Sequence, residues 1–182
     1  MAHSFAILVI AACIFASAAA IALWVSARGQ ARRESRQILK ALQSSDALLS
    51  EEIEPLLDQG QAMLAHASTA RTGTGLLDAV SAFRARVATA QMRVLSLTQA
   101  ERALLTEAGV DLRVALDALG RASTAVQDLY ALVSHLRDGE ATELLHASAR
   151  CASARVSELG QEVHRVQSSI HRKEAALERL AA

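Results

Sequence analysis

The 182 residues carry 19 Lys and Arg against 19 Asp and Glu, so net charge is zero and a broad basic footprint for nucleic acid is excluded. Aromatics make up 3%, proline occurs once and apolar residues reach 52%. That is the palette of long helices packed along Ala, Leu and Val seams, without the material for a large aromatic core.

The first element is an apolar stretch, Phe5 to Ala27, with no Asp, Glu, Lys or Arg. As a helix it measures roughly 34 Å, against about 30 Å for a hydrocarbon core, and a transmembrane anchor over 1–27 is expected. Trp24 sits where an amphipathic ring favours the membrane interface. The rival is a cleaved signal peptide, for which Ala16-Ser17-Ala18 and Ala18-Ala19-Ala20 have the small-residue pattern. A retained anchor is preferred, because no Lys or Arg precedes the stretch and apolar sequence resumes at Ile21-Ala22-Leu23-Trp24-Val25.

A juxtamembrane collar, 28–40, follows. It holds Arg28, Arg32, Arg33, Arg36 and Lys40 against Glu34 alone, leaving 41–182 mildly acidic. The positive-inside rule then places the N-terminus outside and the C-terminal domain in the cytoplasm; a periplasmic or extracellular domain is the alternative. Setting topology is sufficient to explain these cations, although they also suit anionic headgroups.

From Ile38 the apolar spacing is helical: Ile38, Leu42, Ser45, Leu49, Ile53, Leu56, Gly60 and Met63, with Ser45 and Gly60 weakening the seam. Pro55 predicts a kink or restart near 50–55, since its ring removes a backbone bond and clashes with the preceding turn. Arg71-Thr72-Gly73-Thr74-Gly75 reads as a helix-to-helix turn; it lacks the Gly-Lys-Ser/Thr ending of a phosphate loop.

The next stripe is the most regular: Leu76, Val80, Phe83, Val87, Ala90, Val94, Leu97, Glu101, Leu104 and Ala108. Its alternating steps of four and three are those of a coiled-coil seam. The stripe then drifts to Leu105, Leu112, Leu116 and Leu119, compatible with a stutter. Gly120–Ser123 reads as either a tight turn or a weak point in a continuous rod, and the short helix over 123–137, closed by Gly139, either adds a fourth partial helix or extends the second arm. The last helix, about 140–180, has the seam Ala152, Val156, Leu159, Val163, Val166, Ile170, Lys173, Leu177 and Leu180.

The expected fold is therefore all-α. A single N-terminal transmembrane helix leads into a long antiparallel bundle or coiled coil over 41–182, of three long helices and one short. Heptads do not separate an intramolecular bundle from a parallel oligomer. Polar seam residues set register or partner, which makes a Glu101–Lys173 pair an expectation to test.

Little chemistry is on offer. Glu143-x-x-His146 has the spacing of helical di-metal sites, but a second copy is missing: His135, His164 and His171 follow Leu132, Gln161 and Ser168 at that spacing. Cys13 and Cys151 are expected to be small buried residues rather than a disulfide, with an intermolecular bridge the lesser alternative. No catalytic residue, metal or cofactor is assigned, and the chain is read as a non-enzyme.

The anchor, basic collar and helical bundle are similar in layout to bacterial envelope and division scaffolds. They also resemble, in outline, the anchor and four-helix sensor of chemoreceptors, which normally add a second span and a signalling domain. The leading functional expectation is a membrane-anchored scaffold or adaptor. It would contact lipid through 5–27 and bind a second copy or a helical protein through its seams. The alternative is an extracytoplasmic helical sensor or ligand-binding module, with Met63, Phe83 and Tyr130 lining a small cavity.

Overall fold

The computed structural model describes residues 2–69, 75–135 and 143–181; for residues 2–22, 27, 180 and 181 it describes the backbone alone. All the regular elements among them are helical. α1 (Ala2–Leu48) passes through a π-helical turn, Leu49–Ile53, into α2 (Glu54–Thr69). α3 (Leu76–Ala100) and α4 (Arg102–Ala108) form the second arm, α5 (Arg113–His135) the third and α6 (Glu143–Ala181) the fourth.

α2 packs on α3, α3 on α5, α5 on α6, and α6 closes the ring against α2, the π turn and α1. Neighbours in sequence are thus neighbours in space, the arrangement of an up-down-up-down four-helix bundle. Gln167 Nε2 donates to Glu54 Oε1 at 2.9 Å and His171 Nε2 lies 3.2 Å from Asp46 Oδ1, so α6 descends as the first arm rises. The interior is aliphatic, with Leu42, Leu64, Val80, Leu129, Leu145 and Ile170 fully enclosed. Each such side chain contributes about 1.5–3 kcal/mol when removed from water.

The first arm does not break at Pro55. Its strain is absorbed one turn earlier, where the Glu54 N–H donates to the Leu49 carbonyl in the i-to-i−5 pattern of a π turn. The spacing explains why. Ser45, Leu49 and Ile53 are separated by two successive steps of four where a heptad alternates four and three. The wider turn takes up the surplus residue and keeps Leu49 and Ile53, both 1% exposed, on the core face.

The turn between the second and third arms lies at Gly109–Leu112, not at Gly120–Ser123. Gly109 adopts φ 71°, its N–H donates to the Thr106 carbonyl, and the Val110 N–H donates to the Leu105 carbonyl. This is a Schellman closure, and its customary apolar contact is supplied by Leu105 and Val110, both buried. Asp111 Oδ1 then accepts from the Arg113 N–H at 3.0 Å and starts α5. Gly120 lies within α5, so the third arm is a full helix rather than a short appendix. A lesser interruption occurs at Glu101 (φ −105°, ψ 12°), across which the arm continues.

Gly75, with φ 78°, opens α3. The rest of the expected 71–75 loop, and the Arg137-Asp138-Gly139 closure, lie outside the described residues.

Candidate membrane collar and bundle seam

α1 carries the expected collar on an unbroken helix. Leu23, Trp24 and Val25 are 71%, 60% and 57% exposed, and the Arg28 guanidinium sits 5.0 Å from the centroid of the Trp24 ring. An arginine over indole is attracted by the ring quadrupole, and this pair marks one level on the helix with an amphipathic ring and a fixed cation. Arg28, Arg32, Arg36 and Lys40 follow at intervals of four, one per turn, and all four are exposed. Like charges at that spacing repel by a few tenths of a kcal/mol per pair. Arg33 stands beside this stripe. Glu34 is three or four residues from none of the five, so it relieves none of them.

The seam residues face the interior of the chain's own bundle. Leu76, Val80, Phe83, Val87 and Val94 are buried on α3, and Val156, Leu159, Val163, Val166 and Ile170 on α6. Leu97, Leu104 and Leu177 are partly buried against the same core. The side chain of Leu180 is outside the described residues. Phe83 packs onto Gly60, while Met63 and Tyr130 lie at the margin of the core. Tyr130 receives the Arg84 guanidinium 4.2 Å from its ring centroid.

Two expectations are corrected here. Glu101 and Lys173 form no ion pair: Glu101 occupies the interruption between α3 and α4, and the Lys173 Nζ lies over Gly109. Cys151 is exposed, because α6 turns it outward beside buried Ala149 and Ala152. The side chain of Cys13 lies outside the described residues.

Among the described residues the seam has a polar layer at the level of the π turn. Ser45 is fully buried and returns its hydroxyl to the Ala41 carbonyl at 2.8 Å. Gln167, 8% exposed, is held by Glu54, and Asp46 meets His171 a turn away. The spacing announces Ser45 as a polar seam residue but not its companions, which come from distant helices. Elsewhere ion pairs staple the surface. Glu158 joins Arg155 and Arg121 across α5 and α6, and those guanidinium groups hold its carboxyl below the usual range.

Shallow grooves of about 270, 350 and 210 Å³ lie on the bundle surface. The largest runs between the first two arms beside the π turn, where Glu52 pairs with Arg93 and Arg86 bonds to Gln59. Among the described residues no group of three or more His, Cys, Asp or Glu can hold a metal. Glu143 and His146 lie in the first turn of α6. Among the described residues no helix is long and apolar enough to cross a membrane; the side chains of residues 2–22 fall outside that description.

No family model, curated protein or solved structure matches the chain.

Proposed function

We propose that the chain is a membrane-anchored, non-enzymatic helical scaffold, with residues 5–27 in the bilayer and the four-helix bundle held beside it on the cytoplasmic face. The observation that carries this reading is the continuity of α1. One helix runs from the uncharged stretch, past Trp24 and the cations, into the buried positions Ile38, Ala41 and Leu42. An anchor of that kind would fix the bundle at the surface and raise the local concentration of whatever it binds. The stripes once expected to bind a partner are occupied within the bundle. A second copy or helical partner would therefore dock on outward faces of the four arms.

The sensor reading has one observation in its favour. The first and last arms share an end of the bundle, and α6 runs on to Ala181 beyond the α4–α5 turn, alongside α1. A change in packing within the bundle would be delivered as movement between those two helices.

Topology separates the two readings. A single cysteine is placed at Thr74, with Cys13→Ala and Cys151→Ser, and intact cells receive a membrane-impermeant maleimide. Labelling only after lysis, together with retention in carbonate-washed membranes, is the expected result. Labelling of intact cells would overturn the cytoplasmic scaffold, and release by carbonate would overturn the anchor.

A further inference from the structure

Three ionisable groups from two helices meet where α6 leaves the four-helix part of the bundle. His171 Nε2 stands 3.2 Å from Asp46 Oδ1, and that oxygen is sealed from solvent without accepting a hydrogen bond. A buried carboxylate oxygen in that state is compensated by whatever charge lies next to it. One turn along α6, Glu174 is held above the usual carboxylate range, first by burial and then by Asp46, with Glu178 adding to the effect and His171 opposing it.

The other charged groups nearby are engaged or turned away. Glu54 of α2 binds Gln167, and Lys173 lies over Gly109. Arg102 and Glu107 of α4 are exposed, and Arg113 is tied to Asp111. Among the described residues, His171 is the cation that faces these carboxylates.

We propose that Asp46, His171 and Glu174 form an acid-tightened clasp between α1 and α6, governing how firmly the last turns of α6 are held against α1. The clasp rests on the bundle geometry and is independent of whether residues 5–27 cross a membrane. A protonated imidazole at this position neutralises Asp46 and offsets Glu174. Without that proton the sealed oxygen faces a second carboxylate with no cation beside it. Glu174 acts in the same direction. Its folded-state pKa is raised, so its contribution to the contact is full below the ordinary carboxylate range and is lost as pH rises through the raised value.

The test uses the purified full chain in mild detergent. Spin labels are attached at the exposed positions Gln37→Cys and Ala176→Cys, in a background of Cys13→Ala and Cys151→Ser. Pulsed EPR then compares samples at about pH 5.5 and pH 7.5, either side of the ordinary histidine range. The separated population should grow about fivefold at the higher pH, the scale of one partly exposed ion pair. His171→Arg should hold the labels close at both values, and Asp46→Asn should remove the response. A wild-type distribution that ignores pH would overturn the clasp. So would an unchanged pH response in either variant. His171 is 60% exposed, so the arginine has room in the solvent.

Discussion

The ring of Phe83 occupies the space that a side chain on Gly60 would need: Cε2 lies 2.8 Å from the position of a Cβ there, and Cζ is closer still. Phe83 is 2% exposed, so the ring cannot retreat into solvent. Gly60→Ala gains roughly 1 kcal/mol of helix propensity, but overpacking costs about 1–3 kcal/mol and more where atoms interpenetrate. The expected result is a net loss, read as a lower urea midpoint at unchanged slope. Pairing it with Phe83→Leu should give a smaller loss than the two single changes added together. Additivity would show that the ring is not what excludes the side chain.

Gly109 and Gly120 should respond in opposite directions to alanine. Gly109 holds φ 71°, where an L side chain costs about 1–2 kcal/mol. Gly120 is within α5, and a Cβ there would meet Gln91 Nε2 at 3.9 Å, an ordinary contact. Gly120→Ala is therefore expected to stabilise by up to about 1 kcal/mol, with Gly109→Ala destabilising. Thermal midpoints of the two variants, measured side by side, check this. Equal shifts would contradict the position of the turn.

That contrast shows why part of the fold was legible in the sequence and part was not. The helical character and the core stripes follow from apolar spacing, which is a local property; that the stripes pair antiparallel within one chain does not, because the same spacing fits a parallel oligomer. The two glycines look alike to a local reading. What separates them is the Leu105–Val110 contact and the Asp111 start, signals that surround Gly109 and are missing around Gly120. Similarly, Pro55 suggested a kink because a proline's effect is local. The surplus step from Ser45 to Ile53 was also present in the sequence, and it marks where a wider turn restores the seam. The collar was readable because its charges repeat along one helix. The Asp46, His171 and Glu174 cluster was not, since α6 brings it together from the far end of the chain.

Cys151 is small and apolar enough to have been read as buried, yet it lies on the outer face of α6. It should react with a water-soluble maleimide in the folded chain at a rate within about tenfold of an unstructured peptide, as exposure governs thiol access. Cys151→Ser should shift the urea midpoint by no more than about 0.5 kcal/mol equivalent, the range of surface substitutions. Reaction only on denaturation would reverse the assignment of this face.

Asp111 carries a pH dependence of opposite sign to that of the α1–α6 clasp. The Arg113 guanidinium, and then the Arg113 backbone N–H, hold its carboxyl below the usual range. A depressed folded-state pKa means that the contribution is full above the ordinary aspartate value and is lost as pH falls through the lowered one. The side chain is 52% exposed, so solvent screens the ion pair and the bond to the backbone N–H is the larger part. Asp111→Ala should therefore cost about 0.5–1 kcal/mol near neutrality, the scale of a lost helix-start bond, and progressively less as the wild-type carboxyl protonates. Arg113→Ala leaves the backbone bond in place and should cost less. Urea midpoints of the three proteins across an acid series check this. A penalty for Asp111→Ala that stays constant down to about pH 2 would show that the carboxylate charge contributes nothing to the turn.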